Sequence, residues 1–234
     1  MKTRPRSIVR VFVVFPCLAV IFVLQSCSFS KGLSVSTTSD VFVWQLAALN
    51  SSGTVGVTKS GNPLTIDSPL GKAVQFDGKG DALLVNSNPL INLNQFTVEV
   101  LFRPDPKGLP EQRFLHVGEL DGDRMMVETR LTADNHWYLD AYIKSGDSSK
   151  ALIDKSLLHS TGEWHHIAFV VDKGKMDTFV DGKQELEGYV AFSPFKKGQS
   201  SIGVRMNKQY WFKGAIATIR VTPRCLKPEE FTGN

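Results

Sequence analysis

Phe96 to Arg103 reads FTVEVLFR, and its alternation decides the fold class. Phe96, Val98, Val100 and Phe102 fall on one side of an extended chain, and Thr97, Glu99 and Arg103 on the other. That period of two is the pattern of a strand with one buried face. Downstream, Trp164 to Asp172 (WHHIAFVVD) turns at Lys173-Gly174 into Met176 to Val180, which turns at Asp181-Gly182 into Lys183 to Glu187. Asp-Gly accepts the positive φ angles of a two-residue hairpin, so the three runs form a meander. Further strands are expected at Val41 to Leu46, Ala73 to Phe76, Ala82 to Val85, Phe114 to Val117, Met125 to Leu131, Trp137 to Ile143, Ser201 to Val204 and Ala215 to Val221. So many short strands, without long helical periodicity or an internal repeat, predict an all-β fold of two facing antiparallel sheets. Pro228 suits the start of one helical turn within Leu226 to Phe231.

Outside this region the N-terminus has its own character. Lys2, Arg4, Arg6 and Arg10 are the only charged residues among the first 26, and they account for the whole +4 net charge of the 234-residue chain. Without them 23 basic residues face 23 acidic ones. A balanced surface has no long-range field to hold phosphates, which argues against a nucleic-acid partner. Val11 to Leu24 (VFVVFPCLAVIFVL) is uncharged, but 14 residues interrupted by Pro16 are short for a hydrocarbon core of about 30 Å. The segment therefore reads as a secretory signal over residues 1–26. Residues 27–40 are rich in Ser and Thr and read as a flexible tether, with one domain over 41–234. Cys17 lies in the signal and Cys27 at its end, which leaves Cys225 without an intramolecular disulfide partner.

Two resemblances follow. Leu24-Gln25-Ser26-Cys27 resembles the lipobox of bacterial lipoproteins, which implies a lipid on Cys27, a membrane anchor, and a place in the bacterial cell envelope at the outer membrane or facing the periplasm. Several segments of the domain resemble, in order, a laminin G-like member of the concanavalin A-like jelly-roll superfamily. They are Trp44 in the first strand, Gly71-Lys72-Ala73-Val74-Gln75-Phe76-Asp77-Gly78, Phe96-Thr97-Val98-Glu99, Gly162-Glu163-Trp164-His165-His166-Ile167-Ala168, Phe179-Val180-Asp181-Gly182, Ser201-Ile202-Gly203, Phe212-Lys213-Gly214 and Leu226-Lys227-Pro228-Glu229-Glu230-Phe231. The resemblance implies a two-sheet jelly-roll sandwich, and one such fold hosts many activities. Ala217 and Thr218 stand where the family usually carries an acidic pair, so no role of those acids transfers here.

His165 and His166 are strand neighbours that point to opposite faces, so one is expected in the core and the other exposed, with no shared metal. Asp121 and Asp123 sit in a Glu-Leu-Asp-Gly-Asp loop that could supply two oxygens to calcium, although six to eight are needed and a solvated turn explains the same residues. Laminarinase-type hydrolases of the superfamily carry Glu-x-Asp-x-Glu, whereas Glu119-Leu120-Asp121-Gly122-Asp123-Arg124 lacks the last Glu. The expectation is therefore a protein without catalysis, with a divergent glycoside hydrolase as an alternative.

The most suggestive pattern lies in His136 to Lys144 (HWYLDAYIK). Trp137, Leu139, Ala141 and Ile143 take one side, while Tyr138, Asp140, Tyr142 and Lys144 take the other. In Met125 to Leu131, Met126, Glu128 and Arg130 share the polar side. If the two strands are neighbours, aromatic rings and charged groups share one surface, a combination suited to sugar faces and hydroxyls. Arg205, Tyr210 and Trp211 are candidates for its rim. The same pattern also dresses an ordinary solvated sheet. The expected partner is a glycan or, in an interaction or envelope-structural domain on the same scaffold, a cell-surface protein.

Overall fold

The computed structural model describes residues 41–232; the expected signal, the tether and Cys27 lie outside them. The FTVEVLFR segment forms the middle of strand β6 (Gln95–Pro104), the centre of the first sheet. It pairs antiparallel with β12 (His165–Asp172) on one side and β16 (Lys213–Thr222) on the other. Beyond β12, β13 (Lys175–Val180) and β14 (Lys183–Tyr189) complete the expected meander. Lys173 and Gly174 adopt φ of 50° and 100°, and Asp181 and Gly182 φ of 48° and 75°, as two-residue turns of this hand require. Beyond β16 come β4 (Gly71–Asp77) and β3 (Leu64–Ser68), and β1 (Phe42–Gln45) also pairs with β16. A bulge between Ile216 and Thr218 buries Ala217 completely, at the place where the family's acidic pair is missing.

The second sheet runs in the order β10 (Ser148–Ile153), β9 (His136–Ser145), β8 (Arg124–Leu131), β7 (Glu111–Gly118), β15 (Gln199–Ile202), β5 (Ala82–Val85) and β2 (Val57–Ser60), with β11 (His159–Ser160) beside β9. The fold is the expected two-sheet antiparallel jelly-roll sandwich. Strands β2, β3, β10 and β11, and the one-turn helix α1 (Leu46–Leu49), go beyond the elements legible in the sequence. These strands are short and largely exposed, so polar residues occupy both of their faces and the alternation fades.

Between the sheets lies one apolar core. Phe102 of β6 stacks on Phe114 of β7 at 4.8 Å between centroids and meets Trp137 of β9 edge-on at 5.1 Å, which locks the two sheets together at their middles. Trp137 is fully buried and donates its Nε1–H to the Ser160 carbonyl at 3.0 Å.

The histidine pair corrects one expectation. Both His165 and His166 are buried. His165 faces the core side, its ring against Trp137 and its nitrogens 2.8 Å from Asp181 Oδ2 and 3.0 Å from the Ser160 carbonyl. His166 faces outward but is covered, because the C-terminal tail folds back over this half of the sheet. Leu226 and Phe231 pack on Ala168, Val170 and Phe179, and the Phe231 ring lies 5.8 Å from that of His166. The tail carries the expected helical turn, a 3-10 turn over Pro228–Glu230 with Pro at its start.

Candidate functional site

The antiparallel register sets β7, β8 and β9 side by side so that their outward residues form rows. Arg113, Glu128 and Asp140 face one another across the three strands, and Glu111, Arg130 and Tyr138 form the next row. Met126 stands opposite Tyr142, and Arg124 opposite Lys144. The structure therefore brings together Tyr138, Asp140, Tyr142, Glu128 and Arg130, as the alternation in HWYLDAYIK and MMVETRL implied.

It also places them at different depths. Glu128 is 2% exposed and Asp140 3%, beneath the surface, whereas Tyr138, Tyr142 and Arg130 are half-buried and open to solvent. Arg130 is the hub. Its Nη2 and Nε reach Asp140 Oδ2 at 2.6 and 2.9 Å, its Nη1 reaches Glu111 Oε1 at 2.7 Å, and Nη2 lies 3.4 Å from Glu128 Oε2. Arg113 pairs with Glu128 Oε1 at 2.9 Å and Glu111 Oε2 at 3.3 Å. Three carboxyls thus share two guanidiniums, one negative charge too many for a buried site. Burial, helped by the nearby Asp140 charge, pushes the Glu128 carboxyl up to about 7 against the opposing pull of Arg113 and Arg130. Glu128 Oε2 and Asp140 Oδ1 are buried without a hydrogen-bond partner among the described residues.

The loop between β15 and β16 closes one side of this surface. Tyr210 lays its ring on the Arg113 guanidinium, 3.7 Å from centroid to Cζ, and its carbonyl accepts the Arg113 backbone N–H at 2.9 Å. Tyr210 holds φ of 61°, a costly conformation for a bulky residue that these two contacts maintain. Arg205 and Trp211 are half-buried in the same loop. On the other side the Arg124 guanidinium lies 5.3 Å from the Tyr142 ring. His116, fully buried beside Met126, lies 3.0 Å from the Glu119 carbonyl through Nε2 and 3.4 Å from the Met206 N–H through Nδ1. Burial lowers its pKa to about 4, so the ring is neutral, donating to Glu119 and accepting from Met206.

Glu111, Arg113 and His116 were not singled out from the sequence. A bulge between Arg113 and Leu115 breaks the period of two in β7, so the outward face of that strand cannot be counted off from its ends. Arg next to an alternating apolar run was the only signal.

Asp121 and Asp123 lie in the β7–β8 loop. Asp123 Oδ1 accepts the Gly146 N–H at 2.7 Å and its carbonyl accepts the Glu119 N–H at 2.8 Å, while Asp121 is exposed. Glu119 pairs with Lys197 at 2.9 Å. Among the described residues no group of three His, Cys, Asp or Glu side chains converges as a metal site, and the two aspartates gain no third carboxylate from elsewhere in the fold. Beside this loop a depression of about 400 Å³ is lined by Asn86, Glu119, Lys197, Gln199 and Met206, mostly hydrogen-bonding side chains at the end of the surface.

Comparison with known proteins agrees with the architecture. A laminin G-type family profile, described as the concanavalin A-like lectin/glucanases superfamily, matches residues 77–231. The chain belongs to this superfamily. No curated protein matches the sequence. Among solved structures, this superfamily member is similar to domain 4 of AbnA, a GH43 extracellular arabinanase from Geobacillus stearothermophilus in complex with arabinotriose, at 21% identity and a TM-score of 0.55 over 74% of this chain and 84% of that one. It is similar to the binding domain of botulinum neurotoxin DC in complex with SialylT at 14% identity and a TM-score of 0.54, over 74% of this chain and 44% of that one. The native heptameric SAP-like pentraxin from Limulus polyphemus gives 14% identity and a TM-score of 0.51, over 68% and 78% of the two chains. At these identities the likeness is one of fold.

Proposed function

We propose that this superfamily member is a non-catalytic glycan-binding domain, exported and held at the bacterial envelope by a lipid on Cys27, and that it binds through the outward face of β7, β8 and β9. The observation that carries the reading is the placement of Tyr138 and Tyr142 on one face of one strand, about 13 Å apart along it at the usual rise. Half-buried rings present flat apolar surface for sugar C–H groups, while Arg130, Arg124 and Lys144 beside them donate to hydroxyls. Glu128 and Asp140 act from below, holding the Arg130 guanidinium in one orientation so that little rotamer freedom is lost on binding. Tyr210 and Trp211 form the rim. The likeness to domains solved with arabinotriose and with a sialylated ligand supports a carbohydrate partner.

A glycan array with arabino-oligosaccharides and sialylated glycans among its probes tests the site, followed by Tyr142→Ala. The expected result is saturable binding that the substitution weakens by about tenfold or more, the loss of one desolvated aromatic contact. No hit on any glycan, or a hit that Tyr142→Ala leaves untouched, overturns the assignment. Reducing-sugar release from β-glucans that Glu119→Gln abolishes would establish catalysis instead. The lipid anchor fails if Cys27→Ser leaves the protein membrane-bound to the same extent.

A further inference from the structure

The opposite side of the molecule carries a second built site, independent of the sugar-binding reading. On the outward face of the first sheet the C-terminal tail covers the half above β12 and β13. The other half keeps a cavity of about 300 Å³. Its apolar wall includes Val43 of β1, Leu70 in the β3–β4 turn and Leu101 of β6, and its polar base is Glu99 of β6, His166 of β12 and Arg220 of β16.

Glu99 is 2% exposed and only half satisfied. Its Oε1 accepts the Thr232 N–H at 2.7 Å, the Thr232 hydroxyl at 2.8 Å and His166 Nε2–H at 3.2 Å. Its Oε2 has no hydrogen-bond partner among the described residues. The nearest cation is Arg220 Nε at 3.8 Å, close enough for an ion pair and too far for a hydrogen bond. Arg220 Nε and His166 Nδ1 are likewise buried and unpartnered. The base of the cavity therefore offers Glu99 Oε2 as a free acceptor and Arg220 Nε as a free donor, with the unpartnered His166 Nδ1 next to them, beside apolar walls. Burial opposes ionisation of Glu99, yet the hydrogen bonds from His166 and Thr232 outweigh it and hold the carboxyl below its ordinary range. Unmatched groups at such depth are costly, and a ligand that matches them recovers that cost.

We infer that this cavity binds a small uncharged molecule with a short aliphatic body and a head that both donates and accepts hydrogen bonds, a hydroxyl or a primary amide. The head completes Glu99 Oε2 and Arg220 Nε together. The charges of Glu99 and Arg220 offset each other, so an anionic head meets Glu99 and a cationic head meets Arg220, each without compensation. The volume, near the lower end for ligand pockets, holds about ten water-sized groups, which suits a chain of six carbons.

Titration calorimetry of the intact protein with hexanamide, 1-hexanol, hexanoate and hexylammonium tests the inference. Hexanamide and 1-hexanol are expected to bind saturably, and the two ions about tenfold more weakly or less. Val43→Trp, at a rim position 45% exposed, fills the cavity and is expected to weaken hexanamide about tenfold while leaving the melting temperature in place. Arg220→Met leaves Glu99 as the sole charge and is expected to turn the preference toward hexylammonium. Absence of saturable binding by either neutral probe, hexanoate binding as tightly as hexanamide, or indifference to Val43→Trp each overturns it. Tyr142→Ala leaves this binding unchanged, so failure here and failure of the glycan reading are read separately.

Discussion

Burial holds the Glu128 carboxyl near 7 although two guanidiniums face it, and that places a titration inside the candidate site at ordinary pH. The folded-state value lies above the usual 4.5, so the native protein retains a proton that the unfolded chain releases. The stabilisation linked to this proton is fully present below 4.5 and is lost as pH rises through about 7. Glu128→Gln mimics the protonated form and does not titrate. Urea denaturation from pH 4.5 to pH 8 should therefore show the variant gaining up to about 3 kcal/mol on the wild type, the equivalent of the shift at 1.36 kcal/mol per unit. A constant difference across that range would show that Glu128 is ionised throughout, held so by Arg113 and Arg130. The outward direction of Glu128 was legible from alternation in MMVETRL. Its burial was not, because the groups that cover and oppose it come from β7, β9 and the Tyr210 loop.

At the scale of elements, meander and hairpin turns follow from local chemistry, since Asp181-Gly182 needs no distant partner to adopt positive φ. The loop that closes the candidate surface is different. It begins at Gly203, whose φ is 86° and where an added Cβ would lie 2.5 Å from Cδ1 of the fully buried Phe76. Both the backbone angle and the packing exclude a side chain, so Gly203→Ala should cost about 2–4 kcal/mol, combining left-handed strain with overpacking. Chemical denaturation checks this; a loss within about 0.5 kcal/mol, the range of neutral surface changes, would mean that Phe76 yields easily. From sequence Gly203 is one glycine near a strand end. Its contact with Phe76, 127 positions earlier, exists only in the fold.

For the whole molecule, Phe102 joins the two sheets through Phe114 and Trp137. Phe102→Ala should cost about 3–5 kcal/mol, since tightly packed rings from both sheets limit collapse of the cavity. Thermal and urea unfolding should lose cooperativity or midpoint together; an unchanged midpoint would show that the sheets are held elsewhere. What the sequence determined by itself is the sandwich: alternation states which residues of FTVEVLFR and HWYLDAYIK turn inward, and turn chemistry states where the chain reverses. It also supplied the pair of tyrosines on one face. Only the tertiary structure decided that His166 is covered, that Arg130 ties three strands together, and that Glu99, His166 and Arg220 converge under Thr232. The physical reason is range. Side-chain direction along a strand is set by its own backbone, whereas burial, ion pairing and cavities depend on register with other strands and with the tail, from 10 residues away for Arg130 and Asp140 to 133 for Glu99 and Thr232.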